Sequence, residues 1–228
     1  MKKIVFLTGA GMSVESGIPT FRGSVNGLWE NYPIEEVATS RALRSNPKLV
    51  YEFINKLRNK FNSCKPNSAH KAIAELEKDY NVVVITQNID NLHEQAGSTN
   101  VIHLHGDLSK VRAIDNSNLL FDYENDITPE TEIEGHKVRP HVVLFGEAVP
   151  NSEIAQKELF DADICVIIGT SLNVYPAAGL IEYVEYGVPI YYIDPNPAPT
   201  PEYPSIKIIK NVATVGIKKL IEELNDYF

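Results

Sequence analysis

The 228-residue chain has only two cysteines, Cys64 and Cys165, which excludes a disulfide scaffold. Cys165 sits inside the apolar run Ile164 to Ile168 and reads as a buried thiol. Positive charge is also scarce: 21 Lys and Arg against 30 Asp and Glu give a formal net charge of −9. Such a chain offers no general field for phosphate backbones, so direct nucleic-acid binding is not expected. No apolar run approaches membrane-spanning length. Lys2-Lys3 is followed by the short run Ile4 to Leu7 before Thr8-Gly9, too little for a secretory signal core, and the expected location is the cytoplasm. Internal repeats, low-complexity tracts and long linkers are missing too. The length suits one sizeable core, or a large lobe with a small one, rather than two full domains. Nothing in the chain sets an oligomeric state.

What is present is a set of short apolar runs, each ending in small or polar residues. Ile4 to Leu7 leads to Thr8-Gly9, Val82 to Ile85 to Thr86-Gln87-Asn88, Ile164 to Ile168 to Gly169-Thr170-Ser171, and Ile190 to Ile193 to Asp194-Pro195-Asn196. This is the pattern of buried parallel strands whose carboxyl-end loops converge on a ligand crevice. Helical spacing of apolar residues marks Ala69 to Lys78 and Val215 to Leu224 as packing helices. Two segments break the alternation. Ser24 to Pro66 is mostly helical in pattern, and Ala113 to Lys137 is polar, acidic and poorly periodic; both read as insertions folded together as a cap over the crevice. The expected fold is α/β, one domain over 1–228, with a Rossmann-like parallel-sheet lobe of about 1–23, 67–112 and 138–228 and a small lobe of about 24–66 and 113–137.

The phrase from Thr8 to Arg22 follows the first strand directly and contains Gly9 and Gly11. Glycines there let the main chain approach a pyrophosphate while the next helix aims free N–H groups at it. A hydride-transfer fingerprint would place a third glycine at position 14, where Val14 stands; here the turn runs on into Ser16-Gly17-Ile18-Pro19 and Phe21-Arg22. At the second strand end, Thr86-Gln87-Asn88-Ile89-Asp90 offers amides and a carboxylate able to bond a carboxamide and ribose hydroxyls, although a polar turn with an Asx cap would look the same. His103-Leu104-His105-Gly106-Asp107 supplies two histidines, either a turn or a source of general-base chemistry. At most one of the two is expected to meet the crevice. Arg139 to Glu147 is extended and apolar enough to pair with a peptide strand, or to be a core strand.

Together these phrases resemble the signatures of the sirtuins, the NAD-consuming protein lysine deacylases, from Thr8 to about Ala213 and in family order. The resemblance implies a Rossmann-like lobe with a small lobe built from two insertions. It implies NAD binding by Gly9, Ala10, Gly11, Ser13, Ser16, Thr20, Phe21, Arg22, Gln87, Asn88, Ile89, Asp90, Gly169, Thr170, Ser171, Asp194 and Ala213. Asp often stands in the family where this chain has Thr20, and Asn usually stands where it has Asp194. Asn88 and Asp90 would surround the nicotinamide and its ribose, and His105, the histidine followed by glycine, would be the general base. Val143, Phe145, Gly146 and Glu147 would carry an acyl-lysine protein or peptide. In the implied reaction the acyl oxygen attacks the ribose carbon as nicotinamide departs, and His105 deprotonates a ribose hydroxyl directed at the acyl carbon. The products are nicotinamide, free lysine and O-acyl-ADP-ribose. Phe21 would shield the reacting centre and Arg22 would order the cofactor loop. NAD hydrolysis or ADP-ribosyl transfer at the same site, and a non-catalytic NAD sensor, are the alternatives.

Two departures from the family carry information. Many sirtuins hold a structural zinc with two Cys-x-x-Cys pairs, but Ala113 and Asn116 stand where the first pair would fall and the second is missing near Thr131 and Glu134, so no metal is expected. Members that remove succinyl or malonyl groups carry a Tyr-x-x-Arg pair in the first-insertion helix. Here Ile54 and Leu57 occupy those places, and Arg58 falls one residue late, about 100° around a helix. A neutral acyl group, acetyl above all, is therefore expected.

Overall fold

The structure is a computed structural model that describes residues 1–20, 32–172, 175, 177–199 and 206–226. Phe21, Arg22, Leu28 and Trp29 lie outside the described residues, as does part of the proline-rich stretch after Asn196. The strands are β1 Lys3–Thr8, β2 Asn81–Thr86, β3 Val101–His103, β4 Gly106–Ala113, β5 Leu120–Asp122, β6 Glu132–Ile133, β7 His136–Val142, β8 Ile164–Ile168, β9 Ile190–Ile193 and β10 Ile206–Ile209. The helices are α1 Ile34–Val37, α2 Ser40–Ser45, α3 Pro47–Asn62, α4 Ser68–Glu75, α5 Leu92–Ala96, α6 Ser152–Phe160 and α7 Ala213–Asp226. Among the described residues, no helix is long and apolar enough to cross a membrane, and no three His, Cys, Asp or Glu side chains are grouped to hold a metal.

Six strands pair in parallel in the order β10-β9-β8-β1-β2-β3. Counted within the sheet this is the Rossmann arrangement, and the chain reverses its direction of travel between β1 and β8. A crevice must open there, because the connections leaving the two strands go to opposite sides. The central strands are apolar on both faces since both faces are covered. Ile4, Phe6, Val82, Val84 and Val166 pack with Ile73 of α4 and Leu220 of α7, while Val5, Leu7, Val83, Ile85 and Ile167 pack with Leu159 of α6 and Leu180. Cys165 lies in the second cluster, and complete burial pushes its thiol pKa up to about 12, consistent with an inert core residue.

A second sheet, β5-β4-β7-β6, is antiparallel. Its two longest strands come from residues 106–113 and 136–142, most of which lie in segments expected for the large lobe. The polar segment between them supplies only the short β5 and β6. It was illegible as strand because its residues are mostly exposed and lack alternation. The sheet is held to α3 by polar contacts. Asn55 both donates to the Ile127 carbonyl at 2.8 Å and accepts from the Ile127 N–H at 3.1 Å, and Tyr51 donates to the Val138 carbonyl at 2.9 Å.

The expected helix after the first glycine turn is instead two short 3-10 turns, Ala10–Met12 and Val14–Ser16, ended by Gly17 at φ 93°. Asn67 anchors them. Its carbonyl oxygen caps α4 by accepting from the Ala69 and His70 N–H groups, and its amide donates to the Met12 carbonyl at 2.8 Å and to Ser16 Oγ at 3.0 Å. Asn67→Ala should therefore cost about 1–2 kcal/mol in chemical denaturation. Asn67→Asp should recover the capping part while leaving Met12 and Ser16 without a donor, so an Asn67→Asp protein as stable as the wild type would show that the link to the turn contributes nothing.

Candidate active site

The loops after β1 and β8 meet at the switch point in direct backbone contact. A Cβ on Gly9 would lie 2.7 Å from the Thr170 Cβ, and one on Gly11 2.6 Å from the Gly169 Cα. Gly169 itself has φ 63° and would place a Cβ 2.4 Å from the Met12 nitrogen. Neither Gly9 nor Gly11 has positive φ. Their role in the fold is thus close packing of turn on turn. The Gly9 N–H donates to the Ile168 carbonyl at 3.0 Å and the Gly11 N–H to the Gly169 carbonyl at 2.8 Å, joining the two loops.

Ser13 lies buried at the centre of this junction. Its hydroxyl donates to Asp90 Oδ2 at 3.0 Å and accepts from Asn88 Nδ2 at 3.1 Å. The same Asn88 amide donates to the Gly9 carbonyl at 3.1 Å. Asp90 is almost fully buried, and burial raises its pKa against the opposing pull of the Leu92 N–H, Ser13 and His103. Gln87 donates to Thr170 Oγ1 at 3.0 Å, tying the loop after β2 to the loop after β8. Ser16 is held by Asn67, and Thr20 closes the first described segment, half-buried.

His105 follows β3 at the bend into β4. Its Nδ1 is 2.8 Å from the Gln87 carbonyl, which can only accept, so Nδ1 carries the proton and Nε2 keeps a free lone pair. Burial lowers its pKa, partly offset by that same hydrogen bond, so the ring is neutral near pH 7. The glycine that follows is a steric necessity: Gly106 has φ 85°, and a Cβ there would stand 2.1 Å from the His141 carbonyl. His103 is turned elsewhere, toward Glu94 and the Asn88 carbonyl. Of the two histidines, His105 lines the cavity and His103 does not; residues two apart on a continuous strand would share a face, and the end of β3 at His103 with the bend after it parts them.

That cavity, of about 270 Å³, brings together Ala10, Gln87, Asn88, Ile89, Asp90 and His105 with Val143, Phe145, Gly146 and Glu147. It continues into an apolar recess walled by Val37, Ala38, Phe53, Ile54, Leu57 and Phe61, residues whose pattern gave no sign of ligand contact beyond Ile54 and Leu57. Gly169, Thr170, Ser171, Asp194 and Ala213 do not line it. They stand along the carboxyl edge of the parallel sheet, Ala213 buried in the core at the start of α7 and Asp194 partly buried with its pKa raised by that burial. Asn67, and on the recess wall Val37, Ala38, Phe53 and Phe61, are the residues that sequence reasoning missed. An Asn just ahead of a helical pattern is a capping signal that could have found Asn67, but no local signal announces its bonds to Met12 and Ser16.

The loop after β7 is clamped at both ends. The Val143 N–H donates to the His105 carbonyl at 2.8 Å, and Phe145 pairs with the Ala38 to Ser40 segment in a short parallel bridge. The Glu147 carboxylate is wholly engaged. It accepts from Arg139 Nη1 at 2.6 Å, from Arg112 Nη2 at 3.4 Å and from the Leu144 N–H at 2.9 Å. Burial would raise its pKa, yet these partners leave it lowered.

A family model described as the Sir2 family matches residues 9–176. The chain belongs to the Sir2 family. It is 49% identical over 229 residues to a Bacteroides thetaiotaomicron protein named NAD-dependent protein deacylase, covering 96% of this chain and 97% of that one. A Helicobacter pylori protein of the same name is 43% identical, with 98% of each chain covered. A solved Sir2 homologue in complex with NAD superposes with a TM-score of 0.86 at 39% identity, over 99% of this chain and 90% of the homologue. Within this Sir2 scaffold, Glu147 acts on the loop rather than offering a free carboxylate to a ligand. Glu147→Gln should raise the KM for a peptide substrate several-fold and leave the affinity for NAD within about twofold. Steady-state kinetics with each substrate varied in turn reads both, and an unchanged peptide KM would remove Glu147 from the loop's support.

Proposed function

We propose that the protein is an NAD-dependent protein-lysine deacylase that takes neutral acyl groups, acetyl foremost. The observation that carries this reading is the free Nε2 of His105 in the same cavity as Asn88, Asp90 and an apolar recess. Its residues fit NAD in kind: the Asn88 and Gln87 amides suit a carboxamide and ribose hydroxyls, and the paired loops at the switch point suit a dinucleotide. NAD supplies a ribose carbon open to attack and nicotinamide as the leaving group.

The chain's own residues do the rest. Ser13 holds Asn88 and Asp90 in register, and the loop from Val143 to Glu147 orients the acyl-lysine so that its amide stem enters the apolar recess. His105 Nε2 accepts the proton of the attacking hydroxyl while its Nδ1–H stays bonded to Gln87, which fixes the ring through the transfer. A non-catalytic sensor would need no such base. We also place the protein in the cytoplasm, acting on proteins or peptides without direct nucleic-acid contact, and read the small lobe as folding without zinc. In support of the last point, Ile114 and Val138 continue the backbone pairing, bonding the Lys137 and Thr131 carbonyls at 2.9 and 3.1 Å, close to where cysteines would otherwise stand.

His105→Ala should lower kcat on an acetyl-lysine peptide by roughly 10²-fold or more, with NAD binding retained. Nicotinamide release should require the acylated peptide; release without it would favour NAD hydrolysis. Because burial lowers the His105 pKa, the neutral base persists throughout the neutral range, and the acid limb of activity should lie below the ordinary histidine value of about 6.5.

Acyl choice follows from α3. The two cations that flank Leu57 in sequence are committed elsewhere, Arg58 to the Tyr123 carbonyl and Lys56 to the Tyr32 hydroxyl, and neither lines the cavity. A carboxylate in a recess walled by Ile54 and Leu57 would lack its partner, at a cost of about 2–5 kcal/mol. Acetyl should therefore be preferred over succinyl by roughly thirtyfold or more in kcat/KM on one peptide. Equal values would show that the pocket finds a cation elsewhere.

A further inference from the structure

The reaction as described uses His105 and leaves the neighbouring His103 without a task, although His103 is the more heavily engaged of the two. It ends β3 with its side chain only 11% exposed. Its Nδ1 is 3.1 Å from the main-chain carbonyl of Asn88 and its Nε2 is 2.7 Å from Glu94 Oε1, on the helix that begins just after Asp90. A carbonyl can only accept, and an ionised carboxylate can only accept. Both ring nitrogens must therefore carry a proton, and the ring is an imidazolium. His105, with one acceptor partner and one free nitrogen, is its neutral counterpart two residues on.

We propose that His103, as an imidazolium bridging Glu94 to the Asn88 carbonyl, is the positioning residue for the Asn88–Asp90 turn, and that its deprotonation sets the alkaline limit of activity. This rests on the roles of Asn88 and Asp90 proposed above. The bridge braces the turn from behind while Ser13 holds the two side chains from the front, so the amide of Asn88 is fixed through its main chain as well as its tip.

The surrounding charges favour this state. Glu94 of α5 and Asp107 of β4 support the positive ring, Lys110 of β4 helps keep Glu94 ionised, and buried Asp90 lies on the turn itself. His93 of α5 and His141 of β7 also face the group, but burial holds both neutral, His141 with its pKa pushed down to about 4. For His103 burial acts downward too, yet the hydrogen bond and charge of Glu94, together with Asp107 and the Asn88 carbonyl, outweigh it and leave the pKa raised. For Glu94, burial acts upward and the imidazolium overcomes it, so the two partners' shifts agree in sign. A raised histidine pKa means that the bridge is complete below about pH 6.5 and is lost as pH climbs through the raised value. A neutral ring has one N–H and must release either Asn88 or Glu94.

The test compares the wild-type protein with Glu94→Gln and His103→Gln. Ring ¹⁵N spectra titrated over pH 5–10 report the charge of His103 and the Asn88 side-chain amide without any turnover, and kcat profiles use saturating NAD and an acetyl-lysine peptide. In the wild type, the Asn88 amide should move with the His103 titration. Glu94→Gln should bring the alkaline limb of kcat down by roughly one pH unit or more while the acid limb stays in place. His103→Gln should lose that limb and lower kcat about tenfold, with the peptide KM little changed. A His103 ring that is neutral at pH 6, an Asn88 amide indifferent to its titration, or an alkaline limb unmoved by Glu94→Gln would each overturn the proposal. If the wild type fails to turn over while the two signals titrate together, the positioning role stands and the assigned reaction is what fails.

Discussion

The contact of the glycine turn after β1 with the glycine turn after β8 is the constraint on which the rest of the site depends. Parallel pairing brings the carboxyl ends of these two strands side by side, and reversal of strand order there leaves no crossover to cover them. The space is then narrowed by the absence of side chains at Gly9, Gly11 and Gly169, where any Cβ would collide with the opposite turn. With the turns locked, the Gly9 carbonyl and Ser13 hydroxyl become fixed points from which Asn88 and Asp90 are hung. The loop after β2 does not need a rigid conformation of its own, since it borrows one.

Protonation follows from the same frame. Three histidines near the turn have three different partner sets, and the partners decide their chemistry more than sequence position does. His105 has one acceptor and a cavity, His103 has two acceptors, and His93 shares Thr8 at 3.2 Å and an edge-on stack with His70 in a site from which water is excluded. Burial lowers the pKa in each case; only at His103 does an ionised neighbour reverse the sign. A base and a charged brace thus coexist two residues apart because the bend at Leu104 and His105 sends one ring toward the cavity and the other toward α5.

Much of this was legible in the sequence, for identifiable reasons. The parallel strands were visible because burial on both faces makes them continuous apolar runs, and each functional turn follows such a run. The histidine assignment came from resemblance alone, since His103-Leu104-His105 carries no internal signal for which ring is free. The antiparallel sheet was the weakest point. Arg139 to Glu147 reads as extended, but nothing in the sequence shows that it pairs with residues 106–113, because the two strands are distant in the chain. The helix expected after Gly11 was also absent. Contact with the second turn and the bonds from Asn67 favour two tight 3-10 turns over one continuous helix, and neither constraint is local.

The helix α3 shows how a single residue of register separates two functions. Phe53, Ile54, Leu57 and Phe61 fall on one side and wall the recess, whereas Asn55, Arg58 and Asn59 fall on the other and hold the Tyr123 to Ile127 segment. Arg58 follows Leu57 directly, and the turn of about 100° between successive residues carries its guanidinium out of the recess and into the polar seam. Burial there lowers its pKa, while Asp126 and Asp107 oppose the loss of charge. Returning the guanidinium to the recess would strip the seam of a donor that the Tyr123 carbonyl already uses. The neutral character of the recess and the attachment of the small lobe are consequently one property of α3, because the cation that could recognise an acyl carboxylate is the one that fastens the second insertion to the first.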